Sequence, residues 1–398
     1  METVQFTVPS GAPGTADITL TTANGSITAA GAFLYAPAAN SYPLPGSSLQ
    51  SGIYDPHRSV YYFADTSKIQ VLSLTAGGWQ APFTLPGVGN STQLSALSLS
   101  PDGSKLAVSD YGDRVIYVLN PDSPASVTSY AVQQPAIVGA NSAPTGLCIT
   151  NGGVIYYAAA YLGGSGGPDF EELDTNTGIT TVLQTGTAAS TDTRVLLSVD
   201  GTHVYWDADG FTFDLDIGTG QIGFSTATGL AGDVTELSMS ADGTTLAANG
   251  YILDTSLNPS GIIEYTDRET WLPTAVVGQK LNKNGSVFLQ PLTDGIDVID
   301  VNTGRLVNRV QLSLQLPTVY DSLVVDGTDD VVVAITTTGV ATIDLTSAAA
   351  TPATQIRVNG APALARPTAR NAPHAAPGVR HALISDRPQL KRLKIRAP

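Results

Sequence analysis

The chain has 398 residues, only 13% of them charged, and a formal net charge of −15. An acidic body repels phosphate backbones, which argues against nucleic acid as its partner. The single cysteine, Cys148, excludes an internal disulfide and a thiolate metal cluster, and no apolar run is long enough to cross a bilayer.

The first 36 residues carry strand and hairpin signals. Alternating polar and β-branched residues surround Asn24-Gly25, a dipeptide typical of tight hairpins, and Gly31-Ala-Phe-Leu-Tyr35 follows. These features resemble the closing strands of an IPT/TIG immunoglobulin-like domain, so residues 1–36 are predicted to be part of one. Because its opening strands are missing, we expect the natural chain to begin further upstream. No basic and apolar signal peptide precedes this segment in the sequence as given.

A sequence repeat, built in most copies around an Asp-Gly or Asn-Gly turn, occurs seven times along residues 41–358. Clear copies start at Leu97, Val195 and Leu237, and their period of about 45 residues is typical of a propeller blade. The turn residues of the seven copies are His57, Gly103, Gly152, Gly201, Gly243, Gly285 and Thr328. Each copy predicts four short strands, as in Val115–Leu119, Phe211–Leu215 and Ile296–Asp300 for the third strand. The sequence therefore predicts an all-β, seven-bladed β-propeller of four-stranded antiparallel blades.

The residue pattern of the repeat resembles that of a known family. Ser100-Pro-Asp-Gly103 precedes an apolar strand, a later strand ends in Asp300, and Asn302-Thr-Gly304 follows. This pattern is similar to the YVTN-type repeat, whose propellers resemble those of quinoprotein amine dehydrogenases. The resemblance implies a propeller and an extracytoplasmic location: secreted, cell-surface or periplasmic. The first and last units depart from it at Pro56-His57 and Thr328-Asp329.

Both ends of the propeller are predicted to contribute to one blade. Ser41-Tyr-Pro-Leu-Pro45 resembles Pro82-Phe-Thr-Leu-Pro86, which precedes the second unit as an outer strand. We therefore expect residues 41–45 to form the outer strand of the seventh blade, beside Ala341–Asp344. Such closure removes the open edge of a linear array.

Residues 361–398 differ sharply from the rest of the chain. They hold eight basic residues and one acid, a net charge of +7, whereas residues 1–360 carry −22. Their Pro, Ala and Arg content predicts a disordered tail.

Residues for catalysis or metal binding are scarce. His57 and His203 fall in or just after first hairpin turns of different blades, and His374 and His381 lie in the tail. A Ser-His-Asp arrangement therefore lacks a well-placed base, and no spacing fits zinc. The acidic run 207–216 departs from the EF-hand pattern, and residues 207–210 are predicted to form a hairpin turn. We predict no catalytic residue, metal or cofactor.

The alignment of the units suggests where a ligand would bind. The residue before each innermost strand is expected to face the mouth of the central channel, and the third unit has a long second hairpin around residues 161–170. Candidate ligand-binding residues are Gln50, Arg194, Glu236 and Asp321 at the mouth, with Tyr161 and Asp169 in the hairpin. The three remaining mouth positions are Ala96, Thr145 and Gly278. Arg194 and Glu236 alternatively pair with each other.

Three functions follow from this pattern. The first is a non-enzymatic extracytoplasmic module that binds a protein or glycan or acts as a scaffold within a bacterial-type surface or secreted multi-domain protein. We expect such a module to be a monomer. The second is a hydrolase or lactonase-like enzyme with its site at the channel mouth. The third is a quinone-dependent dehydrogenase. Fold alone does not decide among them.

Overall fold

A computed structural model provides the structure of the protein. The residues it describes are 14–22, 25–35, 40–89, 91–133, 141–162, 169–184, 193–208, 211–225, 237–248, 251–262, 278, 280–292, 295–311, 315–317, 322–325 and 331–344. These residues form strands and turns and no helix. Accordingly, nothing within these ranges has the length and apolarity of a membrane-spanning helix.

The strands are short, as the repeat predicts. The first sixteen are β1 Gly14–Thr22, β2 Gly25–Tyr35, β3 Asn40–Pro43, β4 Leu49–Asp55, β5 Val60–Asp65, β6 Lys68–Ser73, β7 Gly78–Trp79, β8 Phe83–Thr84, β9 Leu94–Leu99, β10 Leu106–Asp110, β11 Val115–Asn120, β12 Ser123–Ala131, β13 Asn141–Ile149, β14 Val154–Leu162, β15 Asp169–Asp174 and β16 Ile179–Gln184. The remaining strands are β17 Val195–Leu197, β18 His203–Ala208, β19 Phe211–Asp216, β20 Gln221–Phe224, β21 Leu237–Met239, β22 Leu246–Ala248, β23 Tyr251–Leu253, β24 Pro259–Ile262, β25 Lys280–Leu281, β26 Val287–Leu292, β27 Gly295–Asp300, β28 Arg305–Gln311, β29 Leu323–Val325, β30 Val331–Thr336 and β31 Gly339–Asp344.

Seven antiparallel sheets form the blades, and β1 and β2 form a separate hairpin. Blade 1 contains β4, β5 and β6, with its outer strand split into β7 and β8, which both pair with β6. Blades 2 to 6 each take the next four strands in order, and blade 7 contains β29, β30, β31 and β3. The first strand of every blade contacts the first strand of the next, and β29 contacts β4. The ring is therefore closed, and the predicted seven-bladed propeller is confirmed.

The first hairpin turn of each blade is built as the repeat predicts. In blade 2 the Ser100 hydroxyl and the Ser104 amide both donate to the Asp102 carboxylate, at 2.7 and 3.0 Å. Glycines with positive φ occupy the predicted turn position at Gly103, Gly201, Gly243 and Gly285. In blade 3 the positive φ falls one residue later than predicted, at Gly153, and in blade 1 it falls at Ser59. The seventh turn, at Thr328, lies outside the described residues.

The closing strand joins the two ends of the propeller. Residue Ser41 lies opposite Ala341 and Tyr42 opposite Val340 in an antiparallel ladder, and the Leu44 amide donates to the Thr338 carbonyl at 2.9 Å. This confirms the predicted pairing of residues 41–45 with the seventh blade. The tail, residues 361–398, lies outside the described residues.

Apolar cores lie between adjacent blades rather than at one centre. Between blades 3 and 4, Phe170 stacks on Trp206 with ring centroids 3.9 Å apart, and Trp206 stacks in turn on Phe213 at 5.1 Å. Phe170 and Trp206 are each 1% exposed. Buried aromatic rings of this size contribute several kcal/mol each to folding, so each blade is held chiefly by its neighbours.

Candidate functional site

Turns alternate between the two faces of the ring. The Asp-Gly turns lie on one face, which we call the opposite face. Within the residues that the structure describes, the turns between second and third strands at 66–67, 111–114 and 337–338 and the links that enter blades 1 and 2 lie on the other face, which we call the mouth face. In blade 3 the second strand, β14, has nine residues, whereas the second strands of the other blades have three to six. Its ladder with β13 continues to Asn141 opposite Leu162.

The extended ribbon of β13 and β14 is packed, not free. Ser142 is 3% exposed and Ala160 is 2% exposed, although both lie near the end of the ribbon. Tyr161 lies opposite Ser142 in this ladder, and the side chain of Tyr161 is outside the described part. Asp169 begins the returning strand and is half-buried. The structure thus brings two predicted residues, Tyr161 and Asp169, to the end of one hairpin.

Three of the predicted mouth residues lie within the inner strands of their blades. The prediction placed them just before these strands, so it was wrong on this point. The inner strands of blades 1, 2 and 3 begin earlier than expected, and each contains a register shift where the predicted residue lies: Gln50, Ala96 and Thr145. A β-bulge inserts an unpaired residue and bends its strand. In blade 2 the Ser109 hydroxyl fills this space by accepting from the Ala96 amide at 2.9 Å, and it donates to the Thr145 carbonyl at 3.2 Å.

Several polar groups on the mouth face support the backbone. Asp65 and Asp110 end the second strands of blades 1 and 2, and their carboxylates accept from the amides of Ser48 and Gln93, both at 2.9 Å. These bonds fix the chain as it enters each inner strand. The Gln50 side-chain amide likewise donates to the Ser48 carbonyl, at 3.3 Å, so it is oriented by its own blade.

Among the three charged candidates at the channel mouth, Arg194 is the one that falls within the described residues, and it lies where the prediction placed it. It immediately precedes β17 and is half-buried. A Cβ on Gly146 would lie 2.4 Å from the Thr193 carbonyl oxygen and 3.0 Å from the Arg194 Cα. Inner strand β13 therefore packs directly against the link that carries Arg194. Glu236 and Asp321 lie outside the described residues, so an Arg194–Glu236 pair remains a prediction.

Two buried acids were not among the predicted site residues. Glu171 accepts a hydrogen bond from the Tyr157 hydroxyl, and burial, with a contribution from the charge of Asp169, raises the pKa of Glu171 to about 7. Burial raises the pKa of Asp207 to about 8, and the nearby Thr212 hydroxyl lowers it only in part. Neither carboxylate oxygen of Asp207 has a hydrogen-bond partner. Asp207 lies in strand β18, so its predicted place in a turn was wrong.

The two acids point into different gaps between blades. Glu171 lies opposite Tyr157, which packs in the cluster between blades 2 and 3. Asp207 lies two residues after Tyr205, which packs against blade 5, and alternate residues of a strand share a face. An acid and a base that act on one substrate must both lie within hydrogen-bond reach of it, so Glu171 and Asp207 cannot work as a pair.

The histidines and the cysteine have ordinary structural surroundings. His57 Nε2 lies 3.0 Å from the Pro101 carbonyl, and His203 Nδ1 lies 2.8 Å from Asp214 Oδ1. The two histidines lie on blades 1 and 4, as the spacing predicted. Burial raises the pKa of the Cys148 thiol well above its usual range, which suppresses thiolate chemistry. No cluster of three or more histidine, cysteine or acidic side chains suited to a metal occurs in the portions described.

Comparisons with known proteins support the fold. No protein-family model and no curated protein matches the sequence. Among solved structures, the WD40 repeats of RRP9 superpose with a TM-score of 0.58 at 14% identity, covering 78% of this chain and 99% of that one. The β-propeller domain of Cps50 (Swd1) from Myceliophteria thermophila gives 0.56 at 11% identity, with coverages of 76% and 98%. Hydrazine synthase from Kuenenia stuttgartiensis gives 0.55 at 14% identity, with coverages of 76% and 96%. At these identities the likeness concerns the fold alone.

Proposed function

We propose that this chain is a non-enzymatic binding or scaffolding module, and that its mouth face recognises a protein or glycan outside the cytoplasm. The YVTN-type resemblance of the repeats and the IPT/TIG-like hairpin at the start support a role in a surface or secreted multi-domain protein. The three structural neighbours include WD40 repeats, and a propeller ordinarily serves as a platform for partners. We propose that the chain acts as a monomer, because its ring is closed by its own ends.

One observation supports the choice of the mouth face as the binding surface. The third blade extends a packed ribbon, β13 and β14, beside the link that holds Arg194. Loops presented by a rigid scaffold are where specificity usually lies. Tyr161 belongs to this ribbon, Asp169 and Arg194 lie beside it, and Gln50, Glu236 and Asp321 are proposed to complete the same surface. The opposite face has short turns whose polar groups bond to one another.

A binding experiment with matched variants tests this assignment. Immobilised protein is exposed to soluble glycans and to cell-surface extract, and bound material is compared for the wild type, Arg194→Ala and Lys283→Ala. Both changes remove one positive charge, and Lys283 is exposed on the opposite face. We expect Arg194→Ala to weaken binding at least fivefold and Lys283→Ala to leave it unchanged. The reverse result would assign binding to the opposite face.

The two enzymatic alternatives have their own measurements. A hydrolase or lactonase requires turnover of a lactone panel, with a metal bound at the channel mouth. A quinone-dependent dehydrogenase requires quinone absorbance after reconstitution. Turnover that disappears in Arg194→Ala would replace the binding proposal with an enzymatic one.

A further inference from the structure

The outer strands of blades 3 and 4, β16 and β20, border the outer end of the gap between these two blades, here called a groove. Ile222 and Phe224 on β20 lie opposite Leu215 and Phe213, which belong to the core between these two blades. Their side chains therefore point towards blade 3. Phe224 is 60% exposed although its ring lies 6.1 Å from that of Phe211. The core thus continues outward as an uncovered apolar surface.

Blade 3 contributes an apolar residue and two acids to the same groove. Glu172 lies opposite Tyr156, a member of the core between blades 3 and 4. Asp174 follows two residues later on the same face, with Ile179 of β16 opposite it. Ile179 is 63% exposed. We call the surface formed by Glu172, Asp174, Ile179, Ile222 and Phe224 the 3–4 groove.

The strands that border this groove have unprotected edges. Natural edge strands usually carry a proline or a charge, which prevents another strand from pairing with them. Pro43, Pro124, Pro259 and Arg305 occur in the outer strands β3, β12, β24 and β28, and the outer strand of blade 1 is split into pieces of two residues. Strands β16 and β20, with sequences ITTVLQ and QIGF, have neither proline nor charge. They can accept an added strand.

The charge of blades 3 and 4 indicates which side chains an added strand must carry. Residues 141–225, which make up blades 3 and 4, contain ten acidic residues and one basic residue, Arg194. A strand that fills the 3–4 groove must therefore offer apolar side chains to Ile179 and Phe224 and basic side chains to Glu172 and Asp174. The chain itself contains such a segment: Leu390-Lys-Arg-Leu-Lys-Ile-Arg396.

We propose that the basic tail of this chain, through residues 390–396, docks in the 3–4 groove as an added strand on β16 or β20. The tail carries a net charge of +7 and the body −22, so attraction between them is favourable at low ionic strength. The ladder of the seventh blade ends at Asp344, 46 residues before Leu390. Extended chain spans about 3.3 Å per residue, which is ample to reach another blade. This docking surface is separate from the mouth face.

Hydrogen exchange on the full chain tests the docking. The variant replaces Lys391, Arg392, Lys394 and Arg396 by Ser, and the outer amides of β16 and β20 are compared with those of β12. We expect exchange in β16 or β20 to become roughly tenfold faster in the variant, with β12 unchanged. The same acceleration is expected for the wild type at 1 M salt, where charges are screened within about 3 Å. Equal exchange of β16 and β20 in both proteins would overturn the proposal.

Two groove variants and a dilution series identify the contact. Phe224→Ser and Ile179→Ser change exposed side chains and leave the described core intact, and each is expected to accelerate exchange of the groove strands as the tail variant does. Protection that persists at high dilution indicates that the tail docks on its own body. Protection that disappears on dilution indicates a tail from a second copy and overturns docking within one chain. Unchanged protection in both groove variants would show that the tail binds elsewhere.

Discussion

Gly339 approaches Tyr42 so closely that a Cβ on Gly339 would lie 2.3 Å from the Tyr42 carbonyl oxygen. This contact lies in the ladder that joins the two ends of the propeller, where Gly339 is opposite Pro43. The φ angle of Gly339 is +144°, a value that residues with a Cβ rarely adopt. Closure of the ring therefore depends on a glycine at this position.

Replacing this glycine is expected to weaken ring closure. Gly339→Ala adds both backbone strain and a clash with the strand Asn40–Pro43, so we expect a loss of roughly 3 kcal/mol in the free energy of unfolding. Urea unfolding measures it. The matched control is Gly46→Ala, because Gly46 has a φ of +78° but its Cβ would meet nothing within 4 Å. The control should cost only about 1 kcal/mol. Equal losses would show that the closing contact is unimportant.

The aromatic stack between blades 3 and 4 predicts that replacing two phenylalanines by alanine will have very different effects on stability. Phe170 is 1% exposed and stacks on Trp206, whereas Phe224 is 60% exposed. Phe170→Ala should therefore destabilise the protein by about 3–5 kcal/mol, and Phe224→Ala by about 0.5 kcal/mol or less. Thermal and urea midpoints of the two variants provide the comparison. Similar midpoints would contradict the assignment of the core to the gaps between blades.

Asp207 predicts a specific dependence of stability on pH. Because burial raises its folded pKa from 3.8 to about 8, the folded state holds the proton more tightly than the unfolded state does. The resulting stabilisation is complete below the unfolded pKa and is lost as pH rises towards the folded pKa. In Asp207→Asn the side chain does not titrate, so the variant does not lose this stability as the pH rises. Between pH 4 and pH 8.5 we expect the variant to gain on the order of 5 kcal/mol relative to the wild type, because each pKa unit corresponds to about 1.4 kcal/mol, as measured by urea unfolding. A constant difference across this range would mean that Asp207 is not buried.

The repeat predicted the blades because its turns obey local rules. Gly103, Gly201 and Gly243 in Asp-Gly turns and Gly285 in an Asn-Gly turn are expected to have a positive φ, and the structure has it at each position. The closing strand was also predictable, because residues 41–45 and 82–86 share a local pattern of apolar residues and prolines. The IPT/TIG and YVTN resemblances and the domain boundaries remain predictions.

The candidate site was harder to predict because its geometry depends on neighbouring strands. The bulges at Gln50, Ala96 and Thr145 arise from cross-strand contacts such as the Ser109–Ala96 hydrogen bond, which no local pattern encodes. Asp207 was misplaced because Asp209-Gly210, two residues further on, is a turn signal. Asp207 lies in the strand His203–Ala208, on the same face as Tyr205. Continuing the strand from Val204 to Ala208 would have indicated that Asp207 is buried.

The most direct test of the proposed binding face is site-specific photo-cross-linking on the intact chain. A photoreactive phenylalanine analogue is placed at Gln50 on the mouth face or at Thr202, an exposed turn residue on the opposite face, and each protein is irradiated with cell-surface extract. We predict a discrete adduct from position 50, reduced by the added change Arg194→Ala, and none from position 202. An adduct from position 202 alone would contradict recognition by the mouth face.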